Sequence, residues 1–205
     1  MISSYIQEIA LLAVPVLFSI TFHEVSHGYA AFRLGDPTAR NAGRLTLNPI
    51  SHIDPVGLLV LVVTRMIGWA KPVPVDPRYF KNPRQDMMWV SLAGPASNLL
   101  LAVVFAVISR MVPPIAQSSF LYPLAIMLKF MIVINVGLAV FNLIPIPPLD
   151  GSHILQGLLP PEMAMSYSRI EPYGFIILLV LVFTRTVNVV IFPIIDFITG
   201  LLMRI

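Results

Sequence analysis

Long apolar stretches separated by short polar ones set the outline of the chain. Tyr5 to Leu34 is dominated by apolar side chains over a length that suits a membrane-crossing helix. Gly35-Asp36-Pro37 predicts its end, a glycine followed by a proline that cannot continue the helix. Thr38 to Pro55 is polar and punctuated by Gly43, Asn48, Pro49 and Pro55. Within it, Arg44-Leu45-Thr46-Leu47 alternates polar and apolar, the period of a short strand or hairpin. Val56 to Gly68 is apolar but falls short of the roughly 20 residues that a span needs, which predicts a re-entrant or interfacial segment. Lys71 to Arg84 reads as a proline-rich basic loop.

Met87 to Val112 and Leu121 to Ile144 predict two further spans. The first carries Ala93-Gly94-Pro95-Ala96-Ser97-Asn98, whose small side chains allow close helix approach and whose proline predicts a kink. Asn135 and Asn142 lie two turns apart and share one helix face, which should point into the bundle. Pro145 to Gly151 breaks the helix, and Ser152 to Leu159 begins a short new one. In the tail, Tyr173 to Thr184 and Val189 to Met203 flank Arg185-Thr186-Val187-Asn188. Together they exceed one straight span and each alone is short, which predicts one span plus an interfacial helix. The expected fold is an all-α polytopic membrane protein with about four transmembrane helices, forming a single domain over residues 1–205.

Composition agrees. The chain is 57% hydrophobic and 11% charged, against about 25% charged residues in a soluble domain. A net charge of +3 gives no argument for nucleic acid. The absence of cysteine excludes disulfides and thiolate metal ligands. The first apolar run lacks a basic leader, so it is expected to be a retained span and not a cleaved signal peptide. Arg33, Arg40, Arg44, Arg65, Lys71, Arg78, Lys81 and Arg84 all fall between the first two full spans. The positive-inside tendency then places that loop in the cytoplasm and the N-terminus outside.

The chemistry is carried by His23-Glu24-Val25-Ser26-His27. Four-residue spacing on a helix stacks the two imidazoles on one face, where they can share a zinc ion, and Glu24 stands beside them as a general base. Ionisable groups at membrane depth are costly and mark function. A catalytic zinc takes three protein ligands and keeps one open position. Asp150 is the best third candidate, because the third span delivers it to the same membrane side as the histidines. His153 is its rival, and helix capping is the alternative use of Asp150. His52, in the polar loop, is expected at the solvent, and Asn98 and Asn135 are expected to hydrogen-bond between helices.

His23 to His27 in an apolar helix, together with Asn142-Leu143-Ile144-Pro145-Ile146-Pro147-Pro148-Leu149-Asp150-Gly151, resembles the paired motifs of the site-2 protease family of intramembrane zinc metalloproteases. Gly94-Pro95-Ala96-Ser97-Asn98 is similar to that family's glycine-proline-asparagine element. The resemblance runs from about Phe22 to Leu155. It implies His23, His27 and Asp150 as ligands of one zinc ion per chain, Glu24 as catalytic base, and Asn142 near the reacting carbonyl. It also implies that Arg44 to Leu47 lies in a membrane-associated β element that receives unwound substrate. The partners implied are the lipid bilayer and single-span membrane proteins, and the expected location is a bacterial or archaeal cell membrane, with the site nearer the cytoplasmic face. The length leaves no room for the PDZ or CBS domain that many members carry. A zinc transporter or an inactive helix-binding scaffold would use the same histidines. A transport site has no need of Glu24, and a dead scaffold would have lost a ligand or the base.

Overall fold

The computed structural model describes residues 2–64, 69–111 and 122–204. Residues 65–68, which close the Val56–Gly68 segment, and the expected span boundaries at Val112 and Leu121 lie outside the described residues. The first helix, α1 (Ile2–Arg33), ends in a left-handed Gly35 with φ +109°, as the Gly-Asp-Pro sequence predicts. The following Asp36 is fully buried. Its carboxylate accepts the backbone N–H groups of Thr38, which opens α2 (Thr38–Asn41), and of Asp76, at 2.9 and 2.8 Å. These bonds tie the loop after residue 70 back to the end of α1.

The expected β element is reduced here to a single bridge. Among the described residues the β pairing is one antiparallel bridge between Ile53 and Ala70, and Arg44 to Leu47 runs extended without a ladder. The reason lies in which side chains turn inward. Arg44 is buried and donates to the Lys71 carbonyl at 2.8 Å, Leu45 packs on α1 at Gly28, and Leu47 is 57% exposed. The partners of the segment are a helix face and a loop carbonyl, not a second strand. The Ile53–Ala70 bridge instead closes the base of a loop holding α3 (Pro55–Thr64). Asp54 caps that helix. The N–H groups of Gly57 and Val56 bond its carboxylate at 3.0 and 2.8 Å and hold its carboxyl below the usual carboxylate range.

Among the described residues, three stretches are long and apolar enough to cross a membrane: Leu11–Arg33 within α1, α4 (Pro83–Met111), and α5 (Tyr122–Asn142). After α5 come α6 (Asp150–Leu158), α7 (Pro161–Ser168), α8 (Glu171–Phe183) and α9 (Thr186–Arg204). α7 and α8 meet at 65°, and if they cross as one broken span the count is four. α7 was not anticipated from the sequence. α8 and α9 match the two expected tail segments and part at Arg185, whose φ is 59°. α1, α4 and α5 pack on one another, and α9 lies along α5 and α4.

Lipid tails are as apolar as leucine, so close packing and hydrogen bonds hold such helices together. Ala102 and Ala106 of α4 let Ile132, Val136 and Val140 of α5 approach closely, with Leu202 of α9 against them. Asn135 faces inward and is fully buried, as expected. Asn142, two turns on, is half-buried and ends α5.

Candidate active site

His23 and His27 stand one turn apart in the C-terminal half of α1. Their Nε2 atoms converge to 3.0 Å, with the ring planes nearly perpendicular. Asp150 is the first residue of α6, and its Oδ2 lies 3.2 Å from His23 Nε2 and 3.3 Å from His27 Nε2. Leu149 occupies the cap position of α6, so the Asp150 carboxylate does not cap the helix and turns to the imidazoles instead.

The reversal that brings Asp150 back is tightly built. A Cβ on Gly151 would stand 2.4 Å from the carbonyl oxygens of Leu143 and Ile144, so only glycine allows α6 to start this close to the end of α5. Two later helices brace the turn from outside. The Tyr167 hydroxyl of α7 donates to the Pro145 carbonyl at 2.6 Å, and Gly174 of α8 packs against Pro147.

The three groups fit a zinc ion. Ligands about 2.0–2.1 Å from a tetrahedral zinc lie about 3.3 Å from one another. The three separations here are 3.0, 3.2 and 3.3 Å. Asp150 Oδ2 is buried without a hydrogen-bond partner, a costly state for a carboxylate oxygen unless a cation takes it. Among the described residues, His23, His27 and Asp150 are the one group of three such side chains that converges in this way. His153 lies three residues further along α6, outside the cluster.

α4 forms the wall behind the histidines. His27 Nδ1 donates to the Val90 carbonyl at 2.7 Å, and His23 Nδ1 is 2.6 Å from Asn98 Oδ1. Between these two points, Gly94 leaves the space that the rings fill. An added Cβ there would stand 2.4 Å from His27 Nε2 and 2.7 Å from His23 Cε1.

Glu24 reaches the loop after residue 70, where its Oε2 accepts the N–H of Val73 at 2.8 Å. Glu24, His23 and Asn142 share the wall of a cavity of about 540 Å³, whose apolar side is built by Ile20, Leu138 and Phe141. Asn142 spends one amide hydrogen on the Leu138 carbonyl at 2.9 Å. His52 also lines this cavity. Expected at the solvent, it is instead 2% exposed, because the loop folds over it and the Thr46 carbonyl accepts from its Nε2 at 2.9 Å. Asn98 was anticipated as an interhelical hydrogen-bonding residue, but not as the partner of His23, since that pairing depends on how α1 and α4 are set against each other.

Comparison with known proteins bears on what such a site does. Residues 111–184 match the profile of peptidase family M50. The chain is 40% identical over 188 residues to the Bacillus subtilis protein named "Putative zinc metalloprotease YwhC", covering 90% of this chain and 85% of the relative. It is 34% identical over 189 residues to "Putative zinc metalloprotease Rip2" of Mycolicibacterium smegmatis, covering 90% of this chain and 71% of the relative. The chain belongs to peptidase family M50. It is thus a membrane zinc metalloprotease of the site-2 protease family. No solved structure matches it. The M50 profile match contains Asp150 and the helices that brace its turn but not His23 or His27, so the cluster draws on residues both inside and outside the matched region.

Proposed function

We propose that this M50 protease is an intramembrane endopeptidase that cuts single-span membrane proteins within or near the bilayer, as a step of regulated intramembrane proteolysis. The observation that carries the reading is the convergence of His23, His27 and Asp150 beside membrane-length helices, with His23 and Glu24 together on the wall of one cavity. His23, His27 and Asp150 would hold one zinc ion per chain, and that ion when bound supplies Lewis-acid polarisation and lowers the pKa of water. The rest of the chemistry belongs to the side chains. Glu24 takes the proton of the attacking water and returns it to the departing amine. The Val73 N–H anchors Oε2, which leaves Oε1 for that exchange. Asn142 has a second amide hydrogen beyond the one given to Leu138, and in this reading it donates to the substrate carbonyl as charge develops there.

The chemistry of the site calls for an unwound substrate. The carbonyls of a helical substrate are taken up by hydrogen bonds within its own backbone. A substrate helix must open before its carbonyl reaches the site, which glycine or proline in the substrate would ease. The excess of basic residues between α1 and α4 supports an N-terminus outside and a site nearer the cytoplasmic face. The domain is read as one unit over residues 1–205.

The test is co-expression with a panel of single-span membrane proteins. The intact enzyme should release cleaved fragments from at least one of them. Glu24→Gln should keep its zinc and lose cleavage by about two to four orders of magnitude. Normal proteolysis by Glu24→Gln would refute the assigned base. Zinc flux surviving Glu24→Gln with no cleavage by either form would favour a transporter.

A further inference from the structure

We infer that Asn98 is a positioning residue that fixes the tautomer of His23, and that Ser19 and Asn135 fix Asn98 in turn. The inference rests on the reading of His23 as a zinc ligand. Neutral imidazole carries one proton and offers a lone pair only from its other nitrogen, so a ligand His needs a partner to choose between them. His27 meets that need with a backbone group. The Val90 carbonyl can only accept, so His27 Nδ1 carries the proton and Nε2 is left with its lone pair.

His23 faces a side-chain amide, which could present either end. The surrounding bonds leave one choice. Asn98 lies 3.2 Å from the Ser19 carbonyl, which only accepts, so the end of Asn98 facing Ser19 must be Nδ2. The second hydrogen on that nitrogen goes to Asn135 Oδ1 at 2.8 Å. Asn135 is itself oriented, because its Nδ2 donates to the Met131 carbonyl and to Ser19 Oγ, both at 2.7 Å. Asn98 therefore presents Oδ1 to His23 at 2.6 Å, and His23 must donate from Nδ1. Its Nε2 lone pair then points at His27 Nε2 and Asp150 Oδ2.

The whole chain is buried: Ser19, Asn98 and Asn135 are each 0% exposed and His23 is 7% exposed. Each amide hydrogen of both asparagines has an acceptor, so flipping either amide would set carbonyl against carbonyl in a low-dielectric interior. A network with that much to lose specifies one state. Three elements of the bundle supply the members, α1 with Ser19 and His23, α4 with Asn98 and α5 with Asn135, so the tautomer of His23 reports how these helices are set together.

The test uses the full-length protein in detergent, with nitrogen-15 in its histidines and zinc alone as ligand. In the zinc-free wild type, His23 should show a protonated Nδ1 and an unprotonated Nε2. In Asn98→Leu, His23 should shift toward the Nε2-protonated form. His27, held by a backbone carbonyl, should not change. Zinc affinity, measured against a competing chelator, should fall about 10- to 100-fold. Asn135→Leu should move both readouts in the same direction by less, because the Ser19 carbonyl alone then holds the Asn98 amide. An unchanged His23 tautomer with wild-type zinc affinity in Asn98→Leu would overturn the inference. Equal disturbance of His23 and His27 would overturn it too, since that marks a general packing defect. If Asn98→Leu does not fold, the wild-type spectrum decides, and an Nε2-protonated His23 there refutes the assignment. The expected tautomer and zinc affinity in a protein that cuts no substrate would leave the role of Asn98 standing and count against the protease reading.

Discussion

Gly94→Ala tests whether this glycine of α4 makes room for the two imidazoles. The added methyl would stand 2.4 Å from His27 Nε2, 2.5 Å from His27 Cε1 and 2.7 Å from His23 Cε1, where ordinary contact begins at 3.4 Å. The rings must therefore retreat by about 1 Å. Both are tethered, His27 to the Val90 carbonyl at 2.7 Å and His23 to Asn98 at 2.6 Å, so retreat breaks at least one tether and spreads the two Nε2 atoms. A misplacement of that size in a catalytic constellation costs roughly 100-fold in rate. The effect on folding is a balance of opposing contributions. Alanine gains about 1 kcal/mol over glycine inside a helix, and overpacking costs about 1–3 kcal/mol. A buried imidazole left without its tether costs about 1–3 kcal/mol more. The net cost is about 1–5 kcal/mol, against a typical total of 5–15 kcal/mol. Gly94→Ala should fold with a lowered melting temperature, lose zinc affinity, and cleave a model membrane substrate about 100-fold more slowly. Gly200→Ala is the matched control, since a Cβ there meets nothing within 4 Å. It should be neutral or slightly stabilising and fully active. Wild-type cleavage by folded Gly94→Ala would refute the claim that this glycine makes room for the imidazoles.

Three further outcomes follow from the same geometry. Asp150→Asn replaces a buried anionic oxygen that lacks a hydrogen bond with a neutral one, so the zinc-free protein should be as stable as the wild type or more so. Its gain in melting temperature on adding zinc should shrink, and an undiminished gain would redirect the search for the third ligand to His153. Gly57→Ala would set a Cβ 2.2 Å from the Trp69 carbonyl and should pry open the base of the α3 loop. Proteolytic nicking between residues 53 and 70 should then rise, and an unchanged digestion pattern would sink that packing account. A cysteine replacing Ser3 should react with an impermeant reagent outside intact cells and one replacing Asn82 should not. The cysteine-free native chain makes the labelling clean, and the reverse pattern would invert the proposed orientation.

The spans were legible because a helix in lipid must satisfy its backbone internally over a fixed apolar length. Their ends were legible where glycine and proline mark them, as at Gly35. Features that depend on a distant partner were not. Arg44 to Leu47 has the period of a strand, but four residues cannot say whether a second strand awaits them, and here Lys71 and Gly28 provide the contacts. α7 mixes small, polar and apolar residues without a clear period, and it gains its place from the bond of Tyr167 to Pro145. His52 looked solvated because its neighbours in sequence are polar. Its burial comes from the loop closing over it.

The candidate site divides along the same line. The spacing of His23 and His27 is a property of one helix and could be read locally. Asp150 could be reached by following span directions, which fix the membrane side but not the distance. The α4 wall required the relative register of two helices. Val90 and Asn98 are eight residues apart, about 12 Å along α4, whereas the two histidines are one turn apart, about 6 Å along α1. The rings resolve that mismatch by splaying. Their Nδ1 atoms reach apart to Val90 and Asn98, and their Nε2 atoms close to 3.0 Å in front of Gly94. A side chain at position 94 would occupy the point where the two rings meet. An asparagine one turn earlier or later would face α1 at a level where His23 is not. The spacing from Gly94 to Asn98 thus carries as much of the site's geometry as the spacing from His23 to His27.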